Sequence, residues 1–457
     1  MPKRIFFSGI AGSGTSALAF FYAKKGFLVS GSDRLFDKNP DHSLLNVFRN
    51  NNIMIFPQDG SGIEAETDTF VFSTAVEDNN PDILKAKRLG IKMMTRPEFL
   101  SQMVKQYKTV AIAGTSGKST TSSMLAFLMY ELGLKPNFIG GGRMRHSKTH
   151  PQDEKCNITT NYLIGDSDIL IIEACESDGS IVNYFPESTI LLNLDLDHHK
   201  IEDTKRMFER LIENTDGKVL YNADDKNLNF VESYPRSRRF ALMQSSDYTP
   251  RDMVFEGFGS RFRIRDVEFK ISLPGRHNLI NALACITYLS DAGIDLRSIA
   301  GVIHKFSGVE RRFDIYLDDH RGFVVDDYAH NPHKISFLME TISMLKDRVC
   351  YVFQPHGYGP TRLMKDGYIE TFCKHLRNED ILLILPIYYA GGSASKDISS
   401  KDLSDAISKT GKVARSLTSR EEVLNMSQTY KNFVVFGARD DTLADLAKAI
   451  RDNLIGH

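Results

Sequence analysis

The residues best placed to do chemistry lie in the run Val110 to Thr121, VAIAGTSGKSTT. An apolar segment feeds a glycine-rich turn, and a lysine followed by a hydroxyl residue opens a stretch of helical character. Phosphate-binding loops have this order. Gly114 and Gly117 let backbone N–H groups approach phosphate oxygens, and a helix N-terminus behind them supplies partial positive charge. Lys118 is then expected against the β- and γ-phosphates of a nucleotide, with the Ser119 hydroxyl on Mg2+ and Thr115, Ser116 and Thr120 completing the cradle. The usual pattern has a glycine where this chain has Ile112, so the loop is a shortened variant.

Two further segments carry candidate metal ligands. Ile171-Ile172-Glu173 ends an apolar run in a carboxylate, with Glu176 close behind. Leu191-Leu192-Asn193-Leu194-Asp195-Leu196-Asp197-His198 ends another in a carboxylate–histidine pair. In open parallel sheets ligands bind beyond the carboxyl ends of the strands, so both segments are expected to converge on the phosphate loop. Mg2+ prefers oxygen ligands, which suits Glu173 and Ser119, and His198 would serve a second cation. The alternative for Asp197 and His198 is a helix cap.

Positioning these groups requires strands that stop at the right level. Short apolar runs alternate with helical patterns along the whole chain, the rhythm of α/β architecture. Arg4–Phe7, Phe27–Val29 and Thr69–Ser73 read as strands around a turn at Gly9–Gly14 and a helix over Ser16–Lys25. Together they form a Rossmann-like unit. Thr109–Ala113, Ile169–Ile172 and Thr189–Leu194 read as buried strands of a second unit, with a helix over Ser119–Leu132. Beyond Gly308-Val309-Glu310-Arg311-Arg312, strands are expected at Gly322–Val325, Val349–Phe353, Ile381–Leu385 and Phe433–Phe436, closed by an amphipathic helix over Leu443–Asn453. The expected organisation is three α/β domains: 1–106, 107–312 and 313–457.

Bulk properties narrow the class. A chain of 457 residues is long for one core. A net charge of −1 excludes nucleic acid or an anionic membrane as the main partner, because both demand a basic excess. The 5 cysteines are scattered and form no CxxC pair, so they read as reduced core thiols. No run approaches the roughly 20 apolar residues that span a bilayer, and the apolar run after the basic start is too short for a signal peptide. The expected compartment is the cytoplasm.

The run Ala113 to Thr121, with Glu173, Asn193 and Asp197-His198, resembles the ATP-binding centre of the Mur ligases. So do Pro274 to Ala284 (PGRHNLINALA), Val309 to Asp314 (VERRFD) and Asp326 to Pro332 (DDYAHNP). Within that family, Gly9 to Ser16 (GIAGSGTS) and Ser73 to Pro81 (STAVEDNNP) resemble the members that act on UDP-N-acetylmuramate and L-alanine. A nicotinamide-binding Rossmann domain is the competing reading of the first loop, but Gly-x-x-Gly-x-Gly is not the dinucleotide fingerprint.

The resemblance implies a UDP-binding Rossmann-like domain, a central P-loop ATPase-like domain and a Rossmann-like acceptor domain. It implies ATP as cosubstrate and one or two Mg2+, with Mn2+ as a substitute. Gly12, Gly14 and Ser16 would lie against the sugar nucleotide's pyrophosphate and Asp33 near its base or ribose, with Ser13, Thr15 and Ser73 as further substrate-binding residues. His277 and Asn281 would lie near adenine (their alternative is a helix-start cap), with Arg312 and Asp327 completing the site. Lys118, Glu173, His198, Arg312 and His330 would be catalytic, and His330, His356 and Arg362 would lie near the incoming amine. The implied reaction is ATP-driven amide formation between UDP-N-acetylmuramate and L-alanine through an acyl phosphate, in peptidoglycan precursor synthesis, by a monomer or weak homodimer.

Departures from the family pattern gather on the acceptor side. Between Phe353 and Arg362 the alanine-adding members carry additional arginines where this chain has Gly357 and Pro360. Paired arginines suit an amino-acid carboxylate because each guanidinium binds it bidentately. The stretch Gly140 to Lys148 is more basic than usual, Ala11 and Thr15 differ in the first loop, and Gly437 to Asp441 lacks the expected glycine-rich ending. Two other readings follow: a ligase attaching a different amino acid or a recycled muropeptide, and a non-catalytic nucleotide-binding regulator.

Overall fold

The computed structural model describes residues 2–145, 161–197, 199–389, 395–440 and 442–456. The first sheet contains β1 (Arg4–Ser8), β2 (Leu28–Ser32), β3 (Met54–Phe56), β4 (Thr69–Phe72) and β5 (Lys92–Thr95) in the order β3-β2-β1-β4-β5. Every neighbouring pair is parallel. β1 is apolar on both faces, with Phe6 and Phe7 each 0% exposed, as expected of a central parallel strand covered on both sides. The order reverses between β1 and β4. There the chain turns through Gly9 (φ +79°) into the helix Ser13–Lys24.

The second sheet contains β6 (Lys108–Ala113), β7 (Asn137–Ile139), β8 (Tyr162–Leu163), β9 (Ile169–Ala174), β10 (Ser188–Leu191), β11 (Val219–Asn222) and β12 (Ser237–Phe240). Their order is β12-β11-β10-β6-β9-β7-β8, parallel except for the β7–β8 pair. β6 therefore lies between β9 and β10, and the loop leaving it is flanked by both strand ends. Ile112 explains the shortened phosphate motif. It sits inside β6, 0% exposed, packed in one core with Ile190 and Leu192. Burying such a side chain is worth roughly 1.5–3 kcal/mol, and the chain leaves the sheet only at Gly114.

A small antiparallel sheet, β13 (Arg251–Glu256), β14 (Gly259–Ile264) and β15 (Val267–Ile271), was not expected from the sequence. Most of β13 is exposed, so it lacks the alternation that marks a half-buried strand. The hairpin turn carries Phe258, whose ring stacks on Phe323 of the third domain at 6.0 Å and 8°.

The last sheet orders β16 (Asp314–Asp319), β17 (Gly322–Asp327), β18 (Val349–Phe353), β19 (Ile381–Ile384), β20 (Ala414–Ser416) and β21 (Asn432–Phe436) as β16-β17-β21-β18-β19-β20. Among the described residues of this sheet only β16 runs antiparallel. The helix Leu443–Gly456 covers β17 and β21. Among the described residues no helix is long and apolar enough to cross a membrane.

Candidate active site

β6 and its two neighbours set the level of the phosphate loop. Register pairs Leu191 with Ala113 on one side and Glu173 with Ile112 on the other, so Asn193 and Glu173 arrive beside the turn. Gly114 (φ +147°) and Gly117 (φ +84°) adopt backbone conformations that L side chains rarely take. A Cβ on Gly117 would lie 2.6 Å from Asn281 Oδ1, so the carboxamide of Asn281 rests directly on the loop.

Asn193 ties the turn down. Its Oδ1 accepts from Ser116 N–H at 2.8 Å and from the Thr115 hydroxyl at 2.8 Å, while its Nδ2 donates to Ser116 O at 3.0 Å. The helix Lys118–Glu131 starts behind Gly117 with no side-chain cap, leaving its first N–H groups for a ligand.

Lys118 Nζ donates to Gly114 O and pairs with Glu176 at 2.7 Å, the carboxylate side chain being 1% exposed. Burial opposes the charge on Lys118, but Glu176, Cys175 and Asp197 outweigh it and hold the ammonium above the ordinary lysine value. The Ser119 hydroxyl donates to Glu173 at 3.0 Å, and Gly141 N–H donates to the other oxygen of that carboxylate at 2.6 Å. A hydroxyl and a carboxylate this close provide the oxygen donors that Mg2+ prefers, so Ser119 and Glu173 fit the ion. His198 lies outside the described residues.

Thr115, Ser116, Gly117, Lys118 and Ser119 line a cavity of about 560 Å³ together with His277, Asn281, Arg312 and Asp327. Its lining leaves Ser116 Oγ and His277 Nδ1, both buried, without a hydrogen-bond partner among the described residues. Buried polar atoms are rarely left unpaired, which is what a ligand-binding wall would show. His277 and Asn281 do not cap the helix Arg276–Asp291, whose N-cap is Gly275. Burial, then the charges of His333 and Arg312, bring the His277 imidazole down to about 4, so it is neutral near pH 7.

The third domain closes this cavity. Arg312 lies over the Tyr328 ring at 4.7 Å. Asp327, at the end of β17, accepts from Phe313 N and Ala329 N, each at 2.7 Å, and so fixes the left-handed backbone of Phe313 (φ +58°) at the crossing. Burial raises the Asp327 carboxyl, against the opposing pull of Arg312. Arg145, in the unusually basic stretch, pairs with Asp314 at 2.5 Å and donates to Arg312 O at 2.8 Å; it braces the domain border.

Asp197 is not a helix cap: the helix Ile201–Glu213 is capped by Lys200 without a side-chain bond. The Asp197 carboxylate instead accepts from Lys334 of the third domain at 2.9 Å. His330 Nδ1 lies 2.9 Å from Tyr328 O, which assigns its proton there and leaves Nε2 to face Lys334 at 3.4 Å. Burial first, and Lys334 second, hold His330 well below the ordinary histidine value. His356 meets it edge-on at 5.1 Å. Arg362 is outside this cluster; its exposed guanidinium pairs with Asp397 and Ser395 O.

In the first domain the glycine loop sits at the carboxyl ends of β1, β2 and β4. Gly12 and Ser13 are exposed and Gly14 half-buried, whereas Thr15 and Ser16 are buried, Ser16 donating to Ser13 O. Asp33 accepts from Ala11 N and Leu35 N, both at 2.9 Å, so its carboxylate braces the loop. The Ser73 hydroxyl accepts from Ala75 N at 3.3 Å. Sequence reasoning missed Arg96, which runs along Gly14 and pairs with Asp178 of the central domain at 2.7 Å. It also passed over Lys334. The clue for that residue was a lysine in the first turn of a helix, where the helix dipole disfavours it.

Three family models cover most of the chain: "Mur ligase family, catalytic domain" at residues 4–108, "Mur ligase middle domain" at 112–289 and "Mur ligase, glutamate ligase domain" at 311–451. UDP-N-acetylmuramate–L-alanine ligase of Persephonella marina is 32% identical over 90% of this chain and 87% of its own. The crystal structure of UDP-N-acetylmuramate-alanine ligase from Thermotoga maritima superposes with a TM-score of 0.78 at 25% identity, covering 99% of both chains. A murein peptide ligase from Psychrobacter arcticus shares the fold, with a TM-score of 0.71 at 20% identity over 99% of this chain and 98% of that one. With a phosphate loop, a neutral histidine and a border arginine on one cavity, and with these likenesses along its length, the chain belongs to the Mur ligase family of ATP-dependent ligases.

Proposed function

We propose that this enzyme joins the carboxylate of UDP-N-acetylmuramate to the amino group of L-alanine, converting ATP to ADP and phosphate, in the synthesis of peptidoglycan precursors. The observation that carries the reading is the single cavity on which Lys118, Asn281, His277, Arg312 and Asp327 meet, taken with the alanine-adding relatives. In this reading residues 1–106 hold the sugar nucleotide, 107–312 hold ATP, and 313–457 present the acceptor.

The carboxylate oxygen attacks the γ-phosphorus and ADP leaves, giving an acyl phosphate. The amine nitrogen then attacks the carbonyl carbon, and phosphate departs with the C–O bond electrons. Lys118 and the loop N–H groups offset charge on the transferring phosphoryl. His330, neutral and with Nε2 3.4 Å from Lys334 Nζ, takes the proton released by the amine. Ser119 and Glu173 would hold Mg2+, which supplies charge neutralisation at the phosphates. Closure by the third domain limits water, which would otherwise hydrolyse the acyl phosphate.

One observation favours a second acceptor. Gly357 and Pro360 stand where arginines would grip a free amino acid, and Arg362 is engaged by Asp397. A recycled muropeptide or another amino acid would rely less on that grip. Phosphate release with UDP-N-acetylmuramate, ATP and Mg2+, screened across single amino acids and short muropeptides, decides between them. Turnover with L-alanine supports the main reading, and turnover only with a peptide or a different amino acid reassigns the acceptor. No turnover with any acceptor rejects both.

A further inference from the structure

The phosphate end of the cavity receives a second lysine, and it comes from the third domain. Lys334 occupies the first turn of the helix Pro332–Leu345, where the Asn331 side chain caps its backbone N–H at 2.9 Å. That is a poor place for an ammonium: the helix dipole is positive there, and the side chain is only 16% exposed. The other cations of the cavity, Lys118 and Arg312, also disfavour its charge. A buried cation among cations persists only beside a carboxylate or a bound anion. In this structure the partner is Asp197, 2.9 Å away and 3% exposed.

The arrangement repeats that of the loop lysine. Lys118 rests on Glu176 at 2.7 Å, and Lys334 rests on Asp197 at 2.9 Å; both lysines line the cavity formed by Ser116, Gly117 and Ser119. Each pair joins a lysine to a carboxylate just beyond the end of a central-sheet strand, Glu176 after β9 and Asp197 after β10. One lysine belongs to the central domain and the other reaches it across the border.

We propose that Lys334 binds the terminal phosphoryl group of ATP, and that the ion pair with Asp197 is its resting state. The inference rests on the ATP-ligase reading above. It makes the third domain a contributor to phosphate binding as well as to acceptor binding, so that the phosphoryl group is fully neutralised only when that domain is docked. His330, 3.4 Å from Lys334 Nζ, is then set one contact away from the transferring group.

The test is equilibrium binding of ADP and of the non-hydrolysable β,γ-imido analogue of ATP, in Mg2+ buffer, to the full-length protein. Lys334→Met is expected to weaken the analogue by about tenfold or more, the value of one charge-assisted hydrogen bond, while ADP binding changes little. Lys334→Arg should restore most of the loss. Because Lys334→Met strands the Asp197 carboxylate, the double variant Asp197→Asn/Lys334→Met provides a neutral pair and should show the same selective loss. Equal weakening of both nucleotides would make Lys334 a structural latch and overturn the proposal, as would unchanged binding of both. Wild-type protein that binds neither nucleotide would overturn the ATP reading itself, and the proposal with it.

Discussion

The side chain of Asn193 forms a two-way amide pair with the backbone of Ser116, accepting at 2.8 Å and donating at 3.0 Å. The phosphate loop is thereby held by a neighbouring strand end, and its shape does not depend on a ligand. Asn193→Ala leaves a buried N–H and C=O to find new partners, a loss of roughly 1–3 kcal/mol. The expected outcome is a lower melting temperature and a raised KM for ATP, measured by thermal denaturation and initial rates.

Lys118 and Glu176 should not be separable. Lys118→Met leaves a carboxylate that is 1% exposed without its partner, a loss of about 3–5 kcal/mol. It also removes a cation from the phosphoryl site, so kcat/KM should fall by about 10²–10³ or more. Lys118→Met/Glu176→Gln should recover stability in urea melts but no activity.

Gly117 tolerates no side chain. Its φ of +84° and the 2.6 Å approach of Asn281 Oδ1 to a built Cβ place Gly117→Ala at a loss of about 1–2 kcal/mol from backbone strain alone. Displacement of Asn281 adds to this. Nucleotide titration should show binding reduced well beyond the change in stability.

His277 makes stability fall on the acid side. Its folded value, about 4, lies below the ordinary 6.5, so the unfolded chain binds the extra proton first. The contribution is present above pH 6.5 and is lost as pH falls toward 4, on the order of 3 kcal/mol in full. His277→Gln should flatten that part of the stability–pH curve relative to wild type.

Restoring arginines on the acceptor side should have unequal effects. Gly357 has φ +68°, so Gly357→Arg incurs about 1–2 kcal/mol of strain. Pro360 lies within the short helix Tyr358–Leu363, where an arginine is readily accommodated. Pro360→Arg should fold normally and lower KM for free L-alanine, measured by phosphate release.

Much of this protein was legible in its residues because the signals are local. A phosphate loop is a run of glycines and one lysine, and a buried parallel strand is a short apolar run. The phosphate loop and the principal strands could be named before any coordinates. Antiparallel β13 could not, because an exposed strand carries no alternation. Tertiary structure alone decided the partners. Asp197 and Lys334 are far apart in sequence, as are Lys118 and Glu176, Asn193 and Ser116, Arg96 and Asp178. An ion pair across domains depends on how sheets stack and where helices end, and no residue spacing encodes that. Asp33 and Arg362 show the same: the first accepts from Ala11 and Leu35, and the second pairs with Asp397, contacts that no spacing indicates. Sequence determined which chemistry this chain can do; the docking of three domains decided which of its charged groups meet to do it.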